Sequence, residues 1–305
     1  LETPNVRDLI KAGFHFGHRT SRWNPAMKPY IFKQRNLIHI IDLRATLRGL
    51  VTARRLAGAV AAKGEYVLFV GTKKQASDLV EREARRCNMP FVAERWPGGL
   101  LTNYATVRTR LGRLHELEEM EETGQIDIYS KKMVSSLRRE ERKILRNLGG
   151  VREMNRLPGL LVMVDPAREH IAVREAIKLA VPIVGLADTD GDPAELDVVV
   201  PGNDDSIAAI EIFLCTLSEA VLSSLTGRPA PAEKGLELET PEAREALAGA
   251  PEAQAAPEAE AAETEATQTP QGEAEEPDEA VSEEVTAGAE ADEAEGAAEA
   301  DEEPA

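Results

Sequence analysis

One stretch constrains the fold more than any other: YVLFVGTKKQASDLVEREARRCNMPFVAERWPGGLLTN, residues 66–103. It opens on a continuously apolar run over 66–70, too short for a surface helix and typical of a strand buried on both faces. Gly71 and Thr72 break the run. Thr72 is placed to N-cap a helix over 73–86, in which Ala76, Leu79, Val80, Ala84 and Cys87 share one face. A turn at Asn88, Met89 and Pro90 leads into a second short apolar run, 91–93. Strand, helix and strand within about thirty residues make a crossover unit, and its strands pair in parallel. The unit ends in Arg95, Trp96, Pro97, Gly98 and Gly99, an irregular loop suited to docking a partner.

The same pattern returns further along. Residues 160–164 form an apolar run ending at Asp165 and Pro166, followed by a helical pattern over 169–179. Two more runs follow at 182–187 and 198–200. The first ends in Asp188, Thr189, Asp190, Gly191 and Asp192, the second in Pro201, Gly202, Asn203, Asp204 and Asp205. Asp204 or Asp205 is suited to cap a last helix reaching about residue 225. Five parallel strands with intervening helices predict an α/β fold, a doubly wound, flavodoxin-like sheet in three layers.

Two charged helices interrupt this scheme at 104–122 and 130–148, joined by a turn at Gly124. Val107, Leu111, Leu114, Leu117 and Met120 line one face of the first. Val134, Leu137, Ile144, Leu145 and Leu148 line one face of the second, with Glu140 and Glu141 interrupting it. Narrow seams with charged flanks predict an antiparallel two-helix arm inserted at 104–149 rather than a long coiled coil. Ahead of the core, Thr3 and Pro4 read as N-cap and first position of a short helix that stops at Gly13. Residues 14–25 have the composition of a loop, and 30–33 and 37–41 that of a small hairpin turning at Gln34, Arg35 and Asn36. Asp42 is suited to cap a helix over 44–62, which Gly64 ends. The segment 1–65 is therefore expected to pack on a core of 66–228.

Charge divides the chain sharply. Residues 229–305 hold 25 acidic and 2 basic side chains, a net of −23, against +5 for 1–228; the two sum to the −18 of the whole. That last segment is Ala, Glu, Pro, Thr and Gly with almost no large apolar residue, and its composition predicts disorder. Residues 1–156 carry 30 basic and 17 acidic side chains, so a polyanionic partner is expected for the body. Cys87 and Cys215, far apart and outside any CxxC pattern, suit a reducing compartment. No apolar run approaches about 18 residues, and no secretory leader is visible, so the expectation is a cytoplasmic protein away from membranes.

Signatures of catalysis are missing from the sequence: there is no GxGxxG, P-loop, GxSxG or HExxH. Gly71, Thr72, Lys73 and Lys74 follow a strand where doubly wound folds bind phosphate, so a nucleotide- or phosphosugar-binding enzyme is the competing reading. Asp165, Asp188, Asp190, Asp192, Asp204 and Asp205 all follow strands and converge on one edge of the sheet. Most suit caps and turns. His18 with Asp188, Asp204 or Asp205 forms a candidate divalent-metal set if the N-terminal loop folds over that edge. The basic residues make the stronger case. Arg19, Arg22, Lys28, Lys33 and Arg35 crowd one early segment, Arg95 leads a loop, and Arg108, Arg110 and Arg113 recur along the arm. Trp23 and Trp96 each sit beside an arginine in a Gly- or Pro-containing loop, as buried anchors or as stacking platforms.

Six motifs in register carry a family resemblance: HFGH at 15–18, RWNPAMK at 22–28, FVGTKKQ at 69–75, RWPGGLLTN at 95–103, DP at 165–166 with EHI at 169–171, and PGNDD at 201–205. Over roughly residues 4–225 the chain resembles the bacterial ribosomal protein S2 family. The resemblance implies a structural, rRNA-binding constituent of the small ribosomal subunit in the bacterial cytoplasm, without catalytic turnover, small-molecule substrate or required cofactor. It implies contact with 16S rRNA between head and body and with neighbouring small-subunit proteins. It also implies help in seating the mRNA-binding protein S1 through the N-terminal region and the arm. On that basis Arg19, Arg22, Lys28, Arg35, Lys73, Lys74 and Arg95 would pair with phosphates. Gly98 and Gly99 would let backbone approach RNA, and Trp23, Trp96, Asn103, Arg108 and Arg110 would complete the contact set.

Overall fold

The structure, a computed structural model, describes residues 4–227. The acidic segment at 229–305 and the Thr3 cap lie outside the described residues. The first helix, α1 (Val6–Lys11), is capped by Asn5, whose side chain accepts from the Asp8 N–H while Asp8 accepts from the Asn5 N–H. Its chain leaves through Gly13 at φ +76°.

Residues 14–25, expected to be loop throughout, contain a strand. This is β1 (Phe16–Arg19), which pairs antiparallel with β3 (Ile38–Ile41) across a register shift. On the other side of β3 lies β2 (Ile31–Arg35), so the expected hairpin is two strands of a three-stranded sheet in the order β1-β3-β2. The hairpin turns at Asn36 and Leu37, both at positive φ. Asp42 caps α2 (Leu43–Ala62) as expected, its side chain accepting from the Arg44 N–H at 2.9 Å.

The five core strands are β4 (Val67–Val70), β5 (Phe91–Val92), β6 (Leu160–Val164), β7 (Ile183–Ala187) and β8 (Val198–Pro201). They are all parallel, in the order β5-β4-β6-β7-β8, the doubly wound arrangement predicted. Their pleat sorts side chains onto two faces. Val67, Phe69, Leu160, Val162, Val164, Val184 and Leu186 enter one core with α2, α3 (Lys74–Arg86) and α7 (Ile207–Thr226). Leu68, Val70, Leu161, Met163, Ile183 and Ala187 enter another with α6 (His170–Lys178) and the base of the arm.

The helix α7 is long and apolar enough by length and composition to cross a membrane. Here Ala209, Ile210, Phe213, Leu214, Leu217 and Val221 fill the first core, which is the work of a central helix in a folded domain. Neither Asp204 nor Asp205 caps it; Ser206 stands at the N-cap, with its side chain making no capping bond to the helix. Likewise Lys73 rather than Thr72 is the N-cap of α3, because Thr72 is drawn to Glu169.

The arm is α4 (Tyr104–Glu122) and α5 (Lys131–Leu148), with Gly124 in the left-handed region at φ +70°. Ser130 caps α5 by accepting from the Met133 N–H. Leu117, Leu137 and Ile126 form a small core of the arm's own. Leu145, expected in the seam, is 45% exposed, while Ile144 packs inward as expected.

Candidate nucleic-acid interface

Because the core strands are parallel, the segments following them leave from one edge of the sheet. These begin at Gly71, Ala93, Asp165, Asp188 and Gly202. The N-terminal segment closes over the same edge. The His18 N–H donates to Thr189 Oγ1 (3.0 Å), the Asn24 N–H to the Thr189 carbonyl (2.8 Å) and the Asn203 N–H to the Phe14 carbonyl (3.1 Å). Ser206 Oγ donates to the Ala12 carbonyl at 2.7 Å. Gly17 makes this approach possible, since a Cβ there would sit 2.6 Å from Thr189 Cγ2.

This closure brings together charges from distant parts of the chain. His18 Nδ1 lies 2.9 Å from Asp188 Oδ2 and 3.9 Å from Asp190, and its Nε2 lies 3.9 Å from Asp205. Lys73 Nζ meets Asp205 at 2.6 Å, Asp204 at 2.9 Å and Asp165 at 3.8 Å. Arg22 pairs with Asp190 at 2.9 Å. The Asp188 carboxylate pushes His18 up to about 9, against the opposing effect of burial, with Asp190 and Asp204 adding to it. Asp204 is pushed up to about 7 by burial and by Asp165 and Asp188, with Lys73 opposing. Burial alone would lower Lys73, but Asp205 and Asp204 outweigh it and raise its pKa.

These contacts correct part of the expected contact set. The Lys73 ammonium is 12% exposed and spent on aspartates, so it offers no charge to an external phosphate. Its neighbourhood also disposes of the phosphate-loop reading. The Thr72 N–H, where a phosphate oxygen would be held, donates instead to Glu169 Oε1 at 3.1 Å, and the Thr72 hydroxyl donates to the same oxygen. Glu169 is buried, and that burial raises its pKa. Trp96, at 6% exposure, cannot present a stacking face; it is an anchor whose Nε1 donates to Glu175 at 3.0 Å. Trp23 is half-buried against the His39 ring, centroids 5.1 Å apart.

The remaining cations face outward. Arg19, Arg22, Lys28, Arg35, Lys74, Arg95, Arg108 and Arg110 are exposed, as are Gly98 and Asn103. Gly98 has no atom within 4 Å of where a Cβ would lie, and Gly99 stands at φ +85°. The loop carrying Arg95 is held from beneath by Glu175, a residue the sequence patterns did not single out. Its carboxylate accepts from the N–H groups of Gly99 (2.7 Å), Leu101 (3.0 Å) and Thr102 (3.1 Å), from Thr102 Oγ1 and from Trp96 Nε1. Burial alone would raise Glu175; these bonds outweigh it and hold the carboxyl below its usual value. The signal was present in the sequence: Glu175 shares a helical face with buried Ala172 and Ala176.

A doubly wound sheet that spends its phosphate-loop lysine on aspartates, and turns its arginines outward on loops and arm, defines a charge-presenting scaffold rather than a catalytic cleft. Comparison with known proteins agrees. The family model described as Ribosomal protein S2 matches residues 9–224. The small ribosomal subunit protein uS2 of Rhodopirellula baltica is 55% identical over 218 residues, 72% of this chain and 84% of that relative. The chain belongs to the ribosomal protein S2 family. Its role is therefore structural, in the small subunit of the bacterial ribosome and hence in translation, and it is not an enzyme.

Proposed function

We propose that the chain binds 16S rRNA between the head and body of the small subunit through the loops at the sheet edge and the base of the arm. The observation that carries this reading is the sorting of charge. At the edge, aspartates are tied to His18, Arg22 and Lys73, while Arg19, Lys28, Arg35 and Arg95 stay exposed and outside any ion pair among the described residues. Such cations neutralise phosphates and release condensed counterions, which gives affinity without base readout. Lys33 adds an ammonium 5.6 Å from the Phe32 ring centroid, and Phe32 is 46% exposed beside the hairpin arginine. Seating of the protein S1 belongs to the same proposal. The N-terminal helix and the arm both carry exposed apolar side chains suited to a protein neighbour: Ile10 on the former, Ile128, Tyr129 and Met133 on the latter.

The test is a salt titration. Replacing Arg19, Lys28, Arg35 and Arg95 together by Ala is expected to weaken binding to a 16S rRNA fragment and to flatten log K against log salt. The slope should fall by about 0.9 for each phosphate that is no longer neutralised, taking the duplex DNA value. An unchanged slope removes these side chains from the interface.

A further inference from the structure

We propose that residues 236–247 of this chain dock on an apolar and basic face formed by α6 and by the edge of the sheet at which the core strands begin. On α6, Ile171 and Ile177 are 47% and 54% exposed. Leu157 and Leu179, in the segments entering β6 and β7, are exposed too, and the pairing of Leu161 with Ile183 brings those segments to one edge. Arg174 and Lys178 stand on the exposed side of the helix, outside any ion pair among the described residues. The one acid of α6, Glu175, is turned inward under the Trp96 loop. Asp197, at the same edge, accepts from the Ile183 N–H. The outer side of α6 is therefore apolar and cationic, with no carboxylate of its own.

An exposed apolar face does not name its occupant, but the place where the described chain ends does. The helix α7 starts at the loop edge, where Ser206 bonds Ala12, and runs back along the sheet. Near its end, Ser224 Oγ lies 3.1 Å from where a Cβ on Gly58 would sit. Gly58 belongs to the last turns of α2, whose chain passes through Gly64 into β4. Arg156 donates to the Gly64 carbonyl, and Leu157 follows it. The chain therefore leaves α7 at the edge that carries Leu157 and Leu179, in the layer on the other side of the sheet from α6. Eight extended residues, 228–235, span up to about 26–29 Å, more than the roughly 20 Å across two packed layers.

The chemistry of residues 236–247, LELETPEAREAL, complements this face. Leu236, Leu238 and Leu247 supply apolar surface, and from 248 to 305 the only large apolar side chains are Val281 and Val285. The apolar residues of the segment are thus concentrated where the chain first reaches the face. Glu237, Glu239, Glu242 and Glu245, against the single Arg244, carry the charge opposite to that of Arg174 and Lys178. A second copy fits less well, because a two-fold contact here would set Arg174 and Lys178 against the same residues of its partner. Tethering also gives the segment an effective concentration in the millimolar range, enough for a contact too weak to hold a separate molecule. Docked in this way, the segment shields an apolar face that otherwise invites association between copies.

The experiment replaces Ile177 of the full chain with the photo-crosslinking residue p-benzoylphenylalanine, and in separate preparations Lys178 and the exposed control Asp78 of α3. After irradiation and digestion, mass spectrometry should place the cross-links from positions 177 and 178 within residues 236–247, and none there from position 78. Replacing Leu236, Leu238 and Leu247 together by Ser, or introducing Arg174→Glu with Lys178→Glu, should lower the yield from position 177 about fivefold or more. Cross-links that reach only other segments, that join two copies or that do not form at all would overturn the proposal. So would a yield that either set of substitutions leaves unchanged. Should the probe at position 177 disturb the fold by circular dichroism, the probe at 178 with the leucine substitutions decides by the same outcomes.

Discussion

Glu175 shows how much a single buried carboxylate can organise. Five donors from the segment between Trp96 and Thr102 converge on its two oxygens. An amide of the same shape offers one acceptor oxygen and turns an NH2 group toward N–H donors. Glu175→Gln should therefore lower the urea midpoint by an amount equivalent to about 2–3 kcal/mol, with the m-value unchanged. The sign with pH is fixed by the direction of the shift. The folded carboxyl sits below its ordinary value of 4.5, so its contribution is complete above that value and is lost as pH falls through the folded pKa. The gap between wild type and variant should accordingly be widest near neutrality and narrow below about pH 4. A gap that stays constant from pH 7 to pH 3 would show that packing of the side chain, rather than its charge, holds the loop. Glu83 behaves in the same sense: it accepts from Ser218 Oγ at 2.7 Å and from Arg86, and ties α3 to α7.

At the scale of elements, the arm is separable from the body in a way its sequence already suggests. Leu137 is 5% exposed, yet its buried neighbours are Leu117 and Ile126, within the arm itself. Leu137→Ala should open a cavity worth about 2 kcal/mol or more and reduce amide protection along α4 and α5. Protection in β4 and β6 should be untouched; a decrease there would mean that arm and sheet unfold as one unit. Periodicity made the parallel strands and the arm legible, because a continuous apolar run or a three-to-four spacing is a local property. It could not reveal β1. Phe16, Gly17, His18 and Arg19 alternate weakly, and they form a strand because β3 offers an edge and Thr189 takes the His18 N–H. The caps expected of Thr72 and of Asp204 or Asp205 failed for a related reason. Each side chain was competent to cap its local helix, but Thr72 was claimed by Glu169, and Asp204 and Asp205 by Lys73. The same long-range pairing turned Lys73 and Trp96 from expected RNA contacts into interior supports, whereas the exposure of Arg19, Arg35 and Arg95 was legible from their loop and hairpin positions.

For the molecule as a whole, the two halves of its charge oppose each other. The body through residue 228 is net +5, and the remainder to 305 is net −23. A polyanion joined to a cationic surface competes for that surface with any other polyanion, at an effective concentration that dilution does not lower. It competes best against weak, nonspecific RNA, whose affinity is almost wholly electrostatic, and least against a folded site that also offers shape. Removing residues 229–305 should therefore raise affinity for a random single-stranded RNA about tenfold or more at low salt, and change affinity for the 16S site far less. The difference should vanish near 1 M salt, where the screening length is about 3 Å. Equal binding of random RNA by the full and shortened chains at low salt would show that the acidic segment does not act on the cationic surface. Equal increases for both RNAs would show that it shields the surface without discriminating between them.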